Sequence, residues 1–156
     1  MKVKIKKISD NAVVPFKTYE DDFCYDVVAT SCEEVKPNIF KYGIGLAFEI
    51  DRENSQENTE NYNLSIDIRP RSSIWKTGFI LCNCEATVDE PYRGEVFLMF
   101  YKVGEGEIYK IGDKIGQLKI GFTTPIDFEE VSELGITKRG DKGFGHTGKK
   151  NCLLLK

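Results

Sequence analysis

Residues 82–95, with the sequence CNCEATVDEPYRGE, bring an acid, an aromatic side chain and a glycine together in one short stretch. Phe79, Leu81 and Asn83 fall at alternate positions, and apolar and aromatic residues dominate 96–101, which predicts a strand on each side. Asp89 would then lie at the tip of a tight hairpin, and Gly94 would supply turn chemistry. A rigidly held acid suits a general base or a water-positioning carboxylate. An ordinary turn residue is the alternative explanation.

A second candidate site follows the strand predicted at residues 64–68. Arg71 is followed there by Ser72 and Ser73, which are good N-cap residues for a short helix that ends near Gly78. The free N–H groups of a helix N-terminus, two hydroxyls and a guanidinium are the donors that a phosphate requires. A plain helix cap beside a surface arginine would show the same residues.

The third candidate is the C-terminal segment 138–150, which contains four glycines between cationic residues. Glycines expose backbone N–H groups, and Arg139, His146 and Thr147 add side-chain donors, so the composition is similar to that of phosphate-cradling loops. Phe144 could act against a flat ligand or against a core. The segment lacks the spacing and the preceding strand of a P-loop. A disordered basic terminus is the alternative.

Two further polar residues fall within predicted strands. Asp26 is embedded in the apolar run 24–29, where a carboxylate is costly unless it is paired, hydrogen-bonded or bound to a cation. Gln117 belongs to the strand predicted at 111–120, next to Gly116, which implies either a close neighbour or a bulge. By simple alternation, one face of this strand carries Ile115, Gln117 and Lys119.

The bulk properties exclude several function classes. The chain has 156 residues, a net charge of -3 and a pI near 5.3, which provides no basic surface for nucleic-acid backbones. The five cysteines form no pair of CxxC motifs and there is a single histidine, so a zinc site is not expected. We expect free thiols in a reducing compartment. No signal peptide or membrane span is apparent. We expect a soluble, cytoplasmic protein with no nucleic-acid or membrane partner.

Many short strands with regular turn signals predict an all-β barrel or sandwich. Residues 1–8 read as a half-exposed strand, and the strict alternation over 42–48 is a strong strand signal. Residues 51–63 are polar and without apolar periodicity, which predicts an exposed loop or hairpin insertion. One short helical turn is predicted at 127–134.

Five motifs appear in order along the chain: CYDVVA, PRSS, ATVDEPYRGE, GDKIGQL and RGDKGFGHTG. As a set they resemble the trimeric dUTP pyrophosphatase (dUTPase) family over residues 13–148. The resemblance implies an all-β, jelly-roll-like barrel over residues 1–137, with residues 138–156 as a glycine-rich lid segment of the same domain. It also implies a homotrimer with active sites shared between subunits. The implied reaction is Mg²⁺-dependent hydrolysis of dUTP at the α-phosphate, giving dUMP for thymidylate synthesis and pyrophosphate.

The resemblance also implies roles for individual residues. Asp89 would orient or deprotonate the attacking water and hold the 3′-OH, Tyr92 would leave no room for a 2′-OH, and Asn83 would read the uracil edge. Asp26 would lie near Mg²⁺ and contact it through water. The implied catalytic residues are Arg71, Asp89 and Gln117. The implied substrate-binding residues are Ser72, Ser73, Asn83, Val88, Tyr92, Arg139, Phe144, Gly145, His146 and Thr147.

The chain departs from the family pattern at several positions. Cys24 and Ala86 stand where glycines are usual, Lys114 replaces an arginine and Gly116 replaces an alanine. Ala86 is the change of most interest, since an added methyl in the base-reading turn could alter its backbone angles. The 51–63 segment is longer than a minimal member needs.

Two rival functions share the expected fold. A dCTP deaminase would carry its catalytic glutamate five residues after Gly94, where this chain has Met99. Because a thioether cannot activate water, deamination is disfavoured. A noncatalytic, regulatory trimer is the other rival, and intact Arg71, Asp89 and Tyr92 argue against it.

Overall fold

A computed structural model describes residues 1–56 and 58–143, and its regular structure is almost entirely β. One short 3-10 helix spans Ser72–Lys76. The ten strands within the described residues are β1 Lys2–Lys7, β2 Tyr25–Val28, β3 Ser31–Lys36, β4 Ile39–Gly43, β5 Leu46–Asp51, β6 Asn63–Arg69, β7 Phe79–Leu81, β8 Ala86–Asp89, β9 Phe97–Lys102 and β10 Lys114–Thr123. The predicted all-β class is confirmed.

The strands form two four-stranded sheets and one two-stranded ribbon, all with antiparallel pairing. One sheet has the order β2-β10-β6-β8, the other has the order β3-β4-β9-β7, and β1 pairs with β5. Since neighbours in a sheet are seldom neighbours in sequence, the chain crosses repeatedly between the sheets. This arrangement is the expected jelly-roll-like fold.

Apolar side chains from both four-stranded sheets meet in one core. An aromatic group at its centre combines β4, β7, β9 and the segment before β10, with ring centroids 5.4 to 6.2 Å apart. The members of this group are Tyr42, Phe79, Phe100 and Tyr109. Full burial of one such side chain contributes about 1.5–3 kcal/mol. The core therefore provides a rigid support for the polar residues on its rim.

The outward face of the β2-β10-β6-β8 sheet carries the candidate site residues. Along β6, Leu64, Ile66 and Ile68 enter the core, so Ser65, Asp67 and Arg69 lie on the opposite face. Cross-strand pairing places Gln117 beside Arg69 on one side and beside Asp26 on the other. We call this surface the polar face.

The expected hairpin around Asp89 is not formed. Strand β8 pairs with β6, whereas β9 pairs with β4 and β7 in the other sheet. Asp89 ends β8, and a turn closed by the Tyr92 N–H donating to the Asp89 carbonyl, at 3.0 Å, begins the crossing between sheets. We call residues 89–95 the acidic loop. The local pattern located its strands correctly but could not reveal which partners they pair with.

Simple alternation also fails in β10. The pairing with β2 shifts register between Lys114 and Gly116, so Ile115 enters the core while Gln117 lies on the polar face. The alternative of a bulge at Gly116 is therefore what the structure shows. A methyl group on Gly116 would come within 2.9 Å of the Ile68 side chain, so the predicted close neighbour is present as well.

The chain divides into two compact units, Met1–Pro125 and Ile126–Lys156. All ten strands belong to the first unit. The described part of the second unit, residues 126–143, has neither helix nor strand, so the helical turn predicted at 127–134 is wrong. None of the described helices is long and apolar enough to cross a membrane. The described cysteines are free thiols, as expected, and Cys152 lies outside the described residues.

Candidate active site

Two cationic side chains converge on Asp26 at one end of the polar face. Asp26 lies in β2 and is 6% exposed. The Lys114 Nζ lies 2.8 Å from one of its carboxylate oxygens, and the Arg71 Nε lies 3.2 Å from the other. Thr18 completes the group, since its hydroxyl accepts a hydrogen bond from Lys114 at 2.8 Å. The lone acid of the apolar run is therefore doubly paired, as its burial requires.

Opposing effects set the pKa of the Asp26 carboxyl. Burial raises it, but the hydrogen bond from Lys114 and the charges of Arg71 and Lys114 outweigh burial, and a hydrogen bond from Gln117 acts in the same direction. The pKa of Asp26 is consequently lowered, and the carboxylate is charged at neutral pH. Its charge balances one of the two adjacent cations.

A pocket of about 380 Å³ opens beside this group, and we call it the basic pocket. In the described residues, three buried side-chain atoms lack a partner in hydrogen-bonding geometry: Asp26 Oδ1, Arg71 Nε and the Tyr109 hydroxyl oxygen. The first two of these atoms nevertheless face each other at 3.2 Å as an ion pair, and the Tyr109 hydroxyl interacts with Thr77. Arg71 and Tyr109 line the pocket. The basic pocket is lined by Arg71, Ser73, Lys76, Thr77, Glu107, Ile108, Tyr109, Asp113 and Lys114.

The predicted capping role of the two serines is wrong. The 3-10 helix begins at Ser72, its N-cap is Arg71, and no side-chain hydrogen bond caps it. Ser72 and Ser73 lie instead in the first turn, where Ser72 is exposed and Ser73 lines the basic pocket. Because neither serine caps the helix, both hydroxyls remain available to an anion.

A second pocket, of about 280 Å³, lies against the acidic loop, and we call it the acidic pocket. It brings together four residues chosen from sequence: Asn83, Val88, Asp89 and Tyr92. Within the described part of the chain, the Asp89 carboxylate has no hydrogen-bond or ion-pair partner. An exposed, unpaired acid at the end of a fixed strand is well placed to accept a proton or a hydroxyl group.

The ring of Tyr92 is held across the acidic loop by the backbone. Its hydroxyl donates to the Glu95 carbonyl at 3.0 Å, and a methyl group on Gly94 would collide with the Tyr92 hydroxyl oxygen. The Glu95 carboxylate in turn accepts the Gly45 N–H at 2.9 Å. Gly94 is therefore required for the close approach of the ring, and Glu95 ties the loop to the turn before β5.

Ala86 is one of the residues that line the acidic pocket, and its backbone is that of an ordinary strand. It lies in regular β8 opposite Ile68, is 3% exposed and belongs to the core. Its φ is not positive, so a glycine is not needed there. The methyl group points away from the exposed Asp89, and the concern about the backbone of the base-reading turn does not hold.

The two pockets lie at different ends of the polar face. Asp89 pairs with Ser65, while Arg69 ends β6 four residues further along. Four strand residues span roughly 13 Å. Arg71 lies two residues beyond Arg69, and the two pockets share no lining residue. One chain therefore keeps its free acid apart from its basic pocket.

The remaining sequence-predicted residues lie near the C-terminus. Arg139 is exposed, and its Nε donates to the Lys142 carbonyl at 3.0 Å. Phe144, Gly145, His146 and Thr147 lie outside the described residues. The lid boundary at 138 stays a prediction.

Sequence reasoning missed three residues that shape these pockets. From sequence, Lys114 is noted only as a departure from a family motif. Its place in GDKIGQL, three residues before the glutamine predicted to contact phosphate, is the signal that could have identified it. Thr18 and Glu95 act through hydrogen bonds to residues far away in sequence, which no local pattern reveals. Met99 lies half-buried in β9 opposite Lys41, where its thioether offers no catalytic acid.

A metal ion would find few protein ligands here. Within residues 1–56 and 58–143, no group of three His, Cys, Asp or Glu side chains converges. Asp26 offers one buried carboxylate oxygen without a hydrogen-bond partner. That donor set suits Mg²⁺ held mostly by water and phosphate oxygens, since Mg²⁺ is commonly bound through one or two carboxylates together with a substrate.

Comparisons with known proteins agree on one family. A family model described as dUTPase matches residues 10–148. Deoxyuridine 5'-triphosphate nucleotidohydrolases of Clostridium novyi and Nautilia profundicola are each 34% identical to this chain, over 154 and 152 residues. The alignments cover 95% and 96% of this chain and 99% and 100% of the relatives.

Solved structures of phage dUTPases share the fold. The Staphylococcus bacteriophage 80alpha dUTPase with dUpNHpp superimposes with a TM-score of 0.74 at 20% identity, covering 94% of this chain and 98% of that one. A mutant dUTPase from phage phi11 of S. aureus, described with a structural Mg(II) ion, has a TM-score of 0.65 at 17% identity, with coverage of 86% and 99%.

Proposed function

The chain belongs to the dUTPase family, and from that premise we propose that it hydrolyses dUTP to dUMP and pyrophosphate in the cytoplasm, which lowers dUTP and supplies dUMP for thymidylate synthesis. The observation that carries the proposal is the acidic pocket. There, an unpaired acid, an amide and a backbone-locked tyrosine ring face one cavity. A nucleoside with a 2′-deoxyribose offers matching groups to all three.

In the acidic pocket, Asp89 orients the attacking water, accepts its proton and holds the deoxyribose 3′-OH. Tyr92 packs under the sugar, and its fixed ring leaves no room for a 2′-OH. Asn83 and the adjacent backbone, including Val88, read the uracil edge. A site that hydrogen-bonds one base strongly rejects a base whose donors and acceptors are exchanged, because buried polar groups would then be left unpaired.

The basic pocket binds the phosphates. Arg71 and Gln117 contact phosphate oxygens, and Ser72 and Ser73 donate from the first turn of the 3-10 helix. Arg71 suits this task because its planar fork presents paired donors. Asp26 holds Arg71 and Lys114 in place before the substrate arrives, since two adjacent cations would otherwise repel each other.

Asp26 is also the residue that fits a magnesium ion, through an intervening water. When bound, Mg²⁺ supplies neutralisation of phosphate charge and fixes the triphosphate geometry for in-line attack. The observation in favour is the buried Asp26 carboxylate, whose Oδ1 is ion-paired with the Arg71 Nε at 3.2 Å but makes no hydrogen bond. The lowered pKa of Asp26 keeps that ligand charged.

The complete site is formed by more than one copy of the chain, arranged as a homotrimer with shared active sites. The separation of the acidic and basic pockets supports this, since a triphosphate attacked at its α-phosphorus must reach Asp89 and Arg71 together. Residues of the C-terminal lid close over the nucleotide. In this lid, Phe144 stacks on uracil, and the phosphate contacts come from Arg139, Gly145, His146 and Thr147.

A substrate panel tests the reaction. The purified protein with Mg²⁺ is expected to release pyrophosphate from dUTP, and to leave dCTP, dTTP and UTP largely unused. Asp89→Asn should lower kcat by about 10²–10⁴-fold, the usual contribution of a general base, with less effect on nucleotide binding. Release of pyrophosphate from dCTP or dTTP but not from dUTP would refute the assignment.

Subunit complementation tests the shared site. Asp89→Asn and Arg71→Ala chains, co-expressed with different tags and purified through both, should each be inactive alone. Mixed trimers purified through both tags should regain about one third of the wild-type sites, because each of them contains a single site in which both halves come from the suitable chain. Mixed trimers without activity would place both residues in one chain's site.

A further inference from the structure

The loop between β5 and β6 is tied directly to the acidic loop. Arg52 follows β5, and its guanidinium grips the Glu90 carboxylate with two bonds, Nε to Oε1 at 2.6 Å and Nη2 to Oε2 at 2.5 Å. Glu90 is the neighbour of Asp89 in sequence. The guanidinium also donates to the Thr59 carbonyl at 2.6 Å and to the Tyr62 carbonyl at 3.0 Å. One side chain thus joins three stretches of backbone.

The β5–β6 loop is itself well anchored, so it can act as a support. Asp51, 4% exposed, accepts hydrogen bonds from the Asn54 side chain at 3.0 Å. Ser55 donates to the Asp51 carbonyl at 2.7 Å and accepts the Lys2 N–H at 3.1 Å. The first residues of this loop, 51–55, are therefore anchored to a fixed strand end.

The acidic loop needs such a support at this point. Asp89 is the last residue of β8, and the chain then leaves the sheet. The pair with Arg52 holds the residue that follows it, and the hydrogen bond from Arg52 together with its charge lowers the pKa of Glu90 against the effect of burial. A backbone hydrogen bond from Leu64 to Glu90 acts in the same direction. Glu90 is thus charged and held from two sides.

We propose that Arg52 is a positioning residue for the hydrolysis, which fixes Asp89 through its bidentate grip on Glu90 and thereby makes the β5–β6 insertion part of the catalytic apparatus. The proposal rests on the proposed function of Asp89. A planar fork is needed because only a guanidinium can bind both carboxylate oxygens and two carbonyls at once. A displacement of a reacting group by about 1 Å can cost roughly a hundredfold in rate.

A purely structural role predicts a different result. The side chains of Arg52 and Glu90 are 33% and 24% exposed, so the pair is partly buried, and a bidentate arginine–carboxylate pair can contribute to stability. A purely structural role therefore predicts that kcat falls only where the melting temperature falls with it. An effect on kcat without a matching loss of stability would separate positioning from folding.

The experiment compares Arg52→Lys, Arg52→Gln, Glu90→Gln and the double variant Arg52→Gln/Glu90→Gln with the wild-type protein. Glu33→Gln is the matched control, because it removes a surface ion pair with Lys41, at 2.7 Å between β3 and β4, that belongs to neither the β5–β6 loop nor the acidic loop. Steady-state dUTP hydrolysis gives kcat and KM, and thermal unfolding checks each variant. Arg52→Lys guards against a fold defect, since it keeps the charge and most of the side-chain stem.

We expect kcat to fall about tenfold to a hundredfold in Arg52→Gln and Glu90→Gln, less in Arg52→Lys, and not in Glu33→Gln. KM should change little, and the double variant should be no slower than the slower single variant, since both changes remove one interaction. If Arg52→Lys and Glu90→Gln keep the wild-type kcat, or if the losses add up in the double variant, the positioning role is overturned while the proposed function still stands. A wild-type protein that does not hydrolyse dUTP would overturn the proposed function, and the positioning role with it.

Discussion

The buried ion pair on the polar face offers a sharp test of how this sheet is stabilised. Asp67 is 6% exposed, and the Lys119 Nζ lies 2.6 Å from its carboxylate and 3.5 Å from that of Glu85. Ser65 also donates to Asp67 at 2.9 Å. Lys119→Met keeps most of the stem but leaves the carboxylate buried without a cation.

The expected cost follows from that geometry. Breaking one partner of a buried pair typically costs about 3–5 kcal/mol, and the remaining hydrogen bond from Ser65 places this variant near the lower end. At about 2–4 °C per kcal/mol for a chain of this size, the melting temperature should fall by roughly 6–12 °C. Replacing Asp67 by Asn in the same variant removes the unpaired charge and should restore much of the loss.

The dependence on pH identifies the cause. In the wild-type protein, burial raises the pKa of Asp67. The hydrogen bonds from Lys119 and Ser65 and the charge of Lys119 lower it by more than burial raises it, so the pKa lies below its ordinary value. Its stabilising contribution is therefore present above the unfolded pKa, near 3.9, and is lost as pH falls through the folded pKa. Without Lys119, only the hydrogen bonds from Ser65 and Thr87 oppose burial, so the pKa of Asp67 is higher than in the wild-type protein. The variant's deficit should then be largest near neutral pH and smallest in acid.

Urea unfolding followed by far-UV circular dichroism, at one protein concentration and at about pH 7 and about pH 4, measures this difference. The Asp67→Asn/Lys119→Met double variant is the control. A loss below about 1 kcal/mol, the range of surface ion pairs, would show that Asp67 is not held by Lys119. A deficit of equal size at both pH values would show that lost packing, and not an unpaired charge, is the cause.

Two glycines give further predictions. Gly116→Ala should lower the free energy of unfolding by about 1–3 kcal/mol, because its methyl group would lie 2.9 Å from Ile68 and 3.0 Å from Leu98. Urea unfolding measures this change, and unchanged stability would mean that the core adjusts freely. Gly94→Ala should displace the Tyr92 ring, because the Tyr92 hydroxyl oxygen occupies the space that the new methyl group needs. The preference for dUTP over UTP should then fall about fivefold to tenfold, which corresponds to the loss of one hydrogen bond of about 1 kcal/mol or slightly more. Equal preference ratios in the variant and the wild type would show that Tyr92 does not exclude the 2′-OH.

Local patterns predicted most of the strands and most of the pocket residues. The alternation over residues 42–48 predicts which side chains enter the core, because successive side chains of a single strand point to opposite faces. Motif residues such as Asn83, Asp89 and Tyr92 are brought together in one pocket because they lie within ten positions of each other. A short stretch of chain fixes their mutual placement almost alone.

Features that depend on distant pairing could not be predicted. The expected hairpin at Asp89 failed because β8 and β9 have their partners in different sheets, which depends on β6 and β4. Arg52 and Glu90 are 38 positions apart, so no periodicity links them. Ile115 was assigned to the wrong face because a register shift in β10 interrupts alternation. In each case a contact from another strand decides the outcome.

The same distant pairing assembles the proposed phosphate site in a chain whose net charge is -3. Strand pairing places Asp26 beside Gln117, and the segments that follow β6 and open β10 bring Arg71 and Lys114 to the same carboxylate. The basic pocket carries three cations, Arg71, Lys76 and Lys114, and two acids, Glu107 and Asp113, and Asp26 adds a third acid beside it. These charges sum to zero, so a phosphate in the proposed site would be held by the local placement of the cations and not by a net positive charge. Asp89 lies at the other end of the sheet, and the proposed homotrimer would bring the acid of one copy to the cations of another.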